Sequence, residues 1–307
     1  MVKKIYVWDL ETLPNIFTAT FLDKDSDETK VFVISKTRND KKELFEFLNN
    51  EVAGLIGYNS LHFDAQVIEY MYRYPDCTYE DIAKYAQIIT GDNDRRPDVP
   101  EWRLRHKHLD LFRALSLSTK AKRTGLKWTE FMLDLDNIED MPSQGYGDNW
   151  EELVLSYNLN DVIATKELYQ RYYHEIDLRN TLTKREGISL LNCTEPDLAK
   201  KLFSKYLSKA MGISENDLRT MSTSRDVVNI KDIIFPYVEF KTDKFKTVLN
   251  EFKKLSLKES DKFEFIVNYG VDIVYALGGI HAAPENTIVN SDDKYIIKSL
   301  DVKIMAS

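Results

Sequence analysis

Asp9 and Glu11 stand one residue apart at the end of an apolar run, Lys3-Lys4-Ile5-Tyr6-Val7-Trp8-Asp9-Leu10-Glu11. Side chains of an extended strand alternate faces, so both carboxylates project from one side. Two like charges held that close call for a counter-ion. A divalent metal supplies one, because hard cations such as Mg²⁺ take oxygen ligands and keep positions open for water and phosphate. The other reading is a strand that runs out into a solvated turn, completed by Pro14 and Asn15. Asp64 falls in the first turn of a helical segment, where an acid also answers the helix dipole. The end of a central strand is equally where α/β folds carry functional groups. Tyr157 and Asp161, four residues apart in a long helical region, share one face. They are either an ordinary hydrogen-bonded pair or partners of the earlier acids.

The elements that must position these residues follow from periodicity. Residues 5–34 read as a three-stranded meander, with β-branched and aromatic runs at 15–23 and 30–34 after the first strand. Residues 41–50 have helical spacing, and 52–57 form a short apolar strand expected to run parallel to the first. Helices are expected over 60–74, 79–89, 126–135 and 148–173, with an irregular excursion at 90–105 and order resuming at 107–117. On the long helix Leu153, Ala164 and Leu168 supply the stripe that docks it on the sheet. Farther on, 177–187 and 196–211 read as helices, the second with Leu198, Leu202, Phe203 and Tyr206 as its buried stripe. A Lys-rich helix at 241–257 and strands at 263–267, 271–277 and 295–302 make a second, smaller unit.

The whole chain, 307 residues with 43% hydrophobic and 12% aromatic side chains, is long enough to fill one large or two medium cores. No apolar run is long enough to span a membrane and no secretory leader stands at the start, so a cytoplasmic protein is expected. Cys77 and Cys193 have no metal-ligand or disulfide spacing. A net charge of −8 argues against a protein that coats nucleic acid nonspecifically. The balance reverses between Arg95 and Lys127, where Arg95, Arg96, Arg103, Arg105, Lys107, Arg113, Lys120, Lys122, Arg123 and Lys127 face only Asp98, Glu101 and Asp110. That stretch is either a patch for a phosphate backbone or a solvated loop compensated elsewhere.

Taken in order, Asp9-Leu10-Glu11-Thr12, Gly57-Tyr58-Asn59-Ser60-Leu61-His62-Phe63-Asp64 and Tyr157-Asn158-Leu159-Asn160-Asp161 resemble three successive motifs of known enzymes. They are similar to the exonuclease motifs of the proofreading domains of phage-type DNA polymerases, in the DEDD superfamily, in the branch with tyrosine in its third motif. The resemblance covers about residues 1–185. It implies an α/β, ribonuclease-H-like mixed sheet, an antiparallel three-strand meander plus parallel strands, flanked by helices. It also implies a 3′→5′ exonuclease that removes nucleotides from single-stranded DNA 3′ ends with two divalent ions, Mg²⁺ or Mn²⁺. Asp9 would bridge the ions, Glu11 and Asp161 would complete one site, and Asp64 would reach the second ion directly or through water. Tyr157, with a reference pKa near 10, would orient the attacking water rather than deprotonate it. Thr12, Asn59 and Phe63 match positions that hold the terminal nucleotides, although Phe63 serves equally as a core residue. Lys127 matches a Leu-Lys pair of related phage enzymes and would contact a phosphate. A free-standing nuclease that trims DNA or RNA and a noncatalytic nucleic-acid-binding module are the alternatives; the four acids and the tyrosine speak against the second.

Residues 186–307 are the expected α+β remainder. Tyr275-Ala276-Leu277-Gly278-Gly279-Ile280-His281-Ala282 resembles the stretch that links the exonuclease domain to the palm in some phage polymerases, and Ser299-Leu300-Asp301-Val302 resembles the start of the first palm motif. Lys303-Ile304-Met305-Ala306-Ser307 then departs from that motif. The expectation is a truncated palm, no polymerase activity from this chain alone, and a polymerase domain or subunit as partner. Asp301 reads first as an ordinary strand-end acid.

Overall fold

The computed structural model of the chain describes residues 2–91, 97–115, 117, 124–135, 138–141, 149–221 and 225–258, and the backbone of 264–268, 272–276 and 281–284. Two compact units emerge, 1–218 and 219–307. The first is α/β. Its strands β1 (Lys4–Leu13), β2 (Ile16–Asp23) and β3 (Thr29–Ser35) form the expected antiparallel meander. Helix α1 (Lys41–Asn50) then returns the chain to β4 (Val52–Gly57), which pairs parallel to β1. After α2 (Asp64–Arg73) and α3 (Tyr79–Thr90) the chain adds β5 (His108–Asp110), parallel to β4. The five strands lie in the order β3-β2-β1-β4-β5. Short helices α4 (Leu111–Ala114) and α5 (Leu126–Met132) precede the long α6 (Trp150–Arg171), followed by α7 (Tyr173–Glu186) and α8 (Glu195–Met211).

Alternation along β1 decides which face each residue serves. Tyr6, Trp8 and Leu10 pack with Leu44, Phe47 and Leu48 of α1, Val67, Ile68 and Met71 of α2 and Ile82 of α3. Val7 belongs to the opposite core, with Ile56, Leu109, Val162 and Leu168 of α6 and Ile176 of α7. Each such aromatic or aliphatic side chain contributes about 1.5–3 kcal/mol on burial, so both faces of the sheet are committed to helices. Asp9 and Glu11 have the parity of Val7 and emerge on the α6 face.

The stripe by which α6 docks differs from the expected one. Leu153 is 52% exposed, and the face toward the sheet is Val154, Asn158, Asp161, Val162, Thr165 and Leu168. Residues 154, 158, 161, 165 and 168 follow each other at steps of four and three, and Leu153 lies off that line. The helix expected at 60–74 is shorter: Asp64 is its first residue, and the chain before it turns through Asn59, whose φ of 56° is left-handed. The turn is tight against β4, since a Cβ on Gly57 would lie 2.6 Å from Ser60 Cβ and 3.0 Å from Trp8 Nε1.

The first unit continues past the expected boundary at 185 because the segment after α7 is tied back to it. Asn192 Nδ2 donates to the His108 carbonyl at 2.8 Å, and Arg179 Nη1 donates to the Cys193 carbonyl at 2.6 Å. In α8 the expected buried stripe is not buried: Phe203 is 74% exposed and Tyr206 is also exposed, while Leu198 and Leu202 are half-buried. Polar contacts hold that helix instead, with Lys205 Nζ 3.0 Å from Glu186 Oε2 and Tyr206 donating to Glu186 Oε1 at 2.8 Å.

Within the second unit, α9 (Glu215–Thr220) crosses its start, and β6 (Val228–Asn229) pairs antiparallel with β7 (Ser256–Leu257). Between them lie α10 (Ile230–Ile233) and α11 (Asp243–Lys253), whose Val248, Leu249 and Phe252 are buried. The expected strands at 263–267 and 271–277 correspond to β8 (Glu264–Asn268) and β9 (Asp272–Ala276), which form an antiparallel sheet with β10 (His281–Pro284). The expected strand at 295–302, with Asp301, lies outside the described residues.

Candidate metal centre

Asp9 and Glu11 leave β1 toward α6, and Asp161 meets them from that helix. One carboxylate oxygen from each of the three lies within 4.8 Å of the others. The donor set is all oxygen, which suits a hard divalent cation rather than a thiolate- or imidazole-seeking metal. Asp64 is 3% exposed and lies outside that mutual reach, and its Oδ1 accepts the Leu10 N–H at 3.1 Å. It is nonetheless close enough to be the strongest charged neighbour of Asp9.

Burial and like charge raise every carboxyl of the cluster. Burial first, then Asp64, Glu11 and Asp161, raises the Asp9 carboxyl well above its ordinary range; a hydrogen bond from Asn158 works the other way. Burial, with Asp161 and Asp64, pushes Glu11 up to about 8. Asp64 is pushed up to about 8 by burial against the opposing hydrogen bonds of its own amide and that of Leu10. Asp161 is raised by burial and drawn back by Lys127. Burial and repulsion by like charges thus act in one direction on all four carboxyls, and any positive charge brought among them favours their ionised forms.

Among the described residues, a lysine enters the cluster. Lys127 on α5 pairs with Asp161, lies 3.4 Å from Glu130 Oε1 and stands 4.7 Å over the Tyr157 ring. Tyr157 is buried one helical turn before Asp161 and hydrogen-bonds to it. Its phenol is raised above the usual range by burial, then by Asp161 and Glu11, so it stays protonated at neutral pH.

The remaining expected contacts divide. Thr12 is half-buried on β1, immediately after Glu11. Asn59 donates its backbone N–H to Asp110 Oδ1 at 3.0 Å. Phe63 is half-buried and packs against the core of the α1–α3 face, with part of it left at the surface. Arg105 pairs with Glu69 at 3.4 Å and lies over Tyr72, Arg103 lies over Trp102, and Arg113 stands 4.0 Å from Glu101. Arg95, Arg96, Lys120, Lys122 and Arg123 lie outside the described residues.

Two residues that hold the site escape sequence reasoning. Asn158 is fully buried and donates to Asp9 Oδ2 at 2.7 Å. Asp110, counted from the sequence only as an acid amid bases, accepts the N–H groups of Asn59, Leu61 and Phe112 at 3.0, 3.1 and 3.1 Å. Burial pushes its carboxyl up to about 6 even so. The signal for Asn158 is present in the sequence: an amide and an acid three residues apart interrupt the apolar stripe of an otherwise docking helix. For Asp110 the local signal extends only to capping α4 through the Phe112 N–H, since Asn59 and Leu61 lie about fifty residues earlier. Among the described residues no helix is long and apolar enough to cross a membrane. No protein-family model matches the chain, and no curated protein sequence does.

Proposed function

We propose that the chain is a metal-dependent 3′→5′ exonuclease with a ribonuclease-H-like fold, acting on single-stranded DNA 3′ ends as the proofreading module of a phage-type DNA polymerase. The observation that carries this reading is the convergence of Asp9, Glu11 and Asp161 within 4.8 Å, from two elements separated by most of the first unit. Asp64 at the start of α2 and Tyr157 on α6 stand beside them. The order of these elements, three antiparallel strands, a helix, two further parallel strands and a long helix across β1 and β2, supports the ribonuclease-H-like assignment.

Asp9, Glu11 and Asp161, with Asp64 behind them, would hold two divalent ions, Mg²⁺ or Mn²⁺. Such ions supply charge neutralisation at a phosphodiester and acidify water. The chain's own groups do the rest. The protonated Tyr157 hydroxyl can orient a water molecule at Asp161. Lys127, already at the carboxylates, is in reach of an anionic substrate phosphate. The turn of Asn59 and the exit of β1 at Thr12 border the same end of the sheet and are assigned to the terminal nucleotides.

The test is incubation of the purified chain with a 5′-labelled single-stranded oligonucleotide and Mg²⁺ or Mn²⁺. A ladder shortened from the 3′ end, lost when Asp9→Ala and Glu11→Ala are combined, is the expected result. Intact oligonucleotide under both metals would overturn the reading, and retained binding of the strand would then favour the noncatalytic module.

A further inference from the structure

We propose that Asn158 is a positioning residue that fixes the Asp9 carboxylate for cation binding, and that Thr18 sets the orientation of the Asn158 amide. The inference rests on the reading of Asp9 as a cation ligand. Asn158 is fully buried on the α6 face that meets the sheet, three residues before Asp161. Its Nδ2 donates to Asp9 Oδ2 at 2.7 Å, and its Oδ1 accepts from Thr18 Oγ1 at 3.2 Å. Thr18, itself fully buried, sits on β2 opposite Glu11 in the antiparallel register.

The relay has a definite polarity. A carboxamide presents a donor at one end and an acceptor at the other, and the ionised Asp9 that would hold a cation can use only the donor. The Thr18 hydroxyl engages the acceptor end and leaves the NH₂ facing Asp9. Asp9 needs such a tether because Asp64, Glu11 and Asp161 all repel it. A neutral amide restrains the carboxylate without adding a positive charge that would compete with a cation, which is how outer hydrogen bonds tune the groups that hold a metal. Because Asn158 and Asp161 share one helix face, the seating of α6 delivers one ligand and orients another at once.

The test is calorimetric titration of Mn²⁺ into the full chain and into Asn158→Ala, Thr18→Val and Thr18→Ser, with melting in EDTA and single-strand cleavage measured in parallel. Asn158→Ala should weaken Mn²⁺ binding by about ten- to a hundredfold. Thr18→Val should weaken it less but in the same sense, and Thr18→Ser, which keeps the hydroxyl, should retain affinity within about twofold. Cleavage should fall in step and recover in part at high Mn²⁺. Unchanged Mn²⁺ affinity in both Asn158→Ala and Thr18→Val, whatever their melting in EDTA, would overturn the positioning role while leaving the metal site standing. No Mn²⁺ binding by the unaltered chain would overturn the metal site and this inference with it. Should Asn158→Ala fail to fold, the Thr18→Val and Thr18→Ser pair decides the question by the same criterion.

Discussion

Lys127 and Asp161, 34 residues apart in sequence, form an ion pair at the edge of the acidic cluster. Lys127 reaches it from α5 across the face of Tyr157, with Glu130 as a second carboxylate partner 3.4 Å away. The pair places the chain's own ammonium where an external cation would compete for the same oxygen.

That competition gives opposite signs for binding and turnover in Lys127→Met. Removing the ammonium should tighten Mn²⁺ binding by about threefold or more, since a nearby opposite charge stabilises a carboxylate by an amount a cation must otherwise displace. Cleavage at saturating Mn²⁺ should nonetheless fall by about tenfold or more if Lys127 holds a substrate phosphate as proposed. Calorimetry and a single-turnover assay check the two halves, and weaker Mn²⁺ binding in the variant would contradict the first.

Glu11→Gln should stabilise the metal-free protein. Its carboxyl is pushed up to about 8 by burial, Asp161 and Asp64, so at neutral pH folding makes Glu11 take up a proton that the unfolded chain does not hold, at a cost in stability. A neutral isostere removes that cost, worth about 1 kcal/mol and a rise of about 2–4 °C in melting temperature for a unit of this size. Mn²⁺ affinity should drop in the same variant. Scanning calorimetry in EDTA measures the first effect, and a lower melting temperature would show that Glu11 makes a net favourable contact.

The pH dependence of stability follows from the same shifts. Glu11 and Asp64 titrate near about 8 in the folded chain, against about 4 when unfolded. Between those values the folded state binds more protons, so stability declines as pH rises through the window. Buried His108, held down to about 3, acts in the opposite sense, but only up to its unfolded value of about 6.5. From about pH 6.5 to 8 the carboxylates therefore dominate, and melting in EDTA should fall across that interval. Saturating Mn²⁺ should flatten or reverse the trend, because deprotonated ligands bind it best.

Asp110→Ala should destabilise the first unit by about 3 kcal/mol. The carboxylate accepts the backbone N–H groups of Asn59 and Leu61 in the turn that precedes Asp64 and that of Phe112 at the start of α4, and its own amide donates to Asn192 at 2.8 Å. Truncation strands several donors in a buried place, each at about 1–3 kcal/mol before relaxation. Urea unfolding quantifies the loss, and hydrogen exchange at residues 59 and 61 should accelerate ahead of the sheet.

Much of the first unit was legible from local chemistry. Alternation in Ile5-Tyr6-Val7-Trp8-Asp9-Leu10-Glu11 fixes both acids on one side of a strand, and the four-residue spacing of Tyr157 and Asp161 fixes them on one side of a helix. Those are properties of backbone geometry, and neighbouring residues suffice to express them. The meander, the parallel β4 and the helical regions follow from the same periodicities.

Tertiary structure decided which of those faces meet. Leu153 and Val154 are both apolar, and only the seating of α6 on the sheet buries Val154 and leaves Leu153 in solvent. That seating also brings Asn158 to Asp9 and Asp161 to Glu11, pairings that no local pattern encodes because the partners lie about 150 residues apart. The pairing of Lys127 with Asp161 and the capping of residues 59–61 by Asp110 have the same origin. Sequence supplied the charges and their faces. Packing of two hydrophobic layers against one sheet set the distances between them, and at that range distance governs whether carboxylates repel, share a proton or hold a cation.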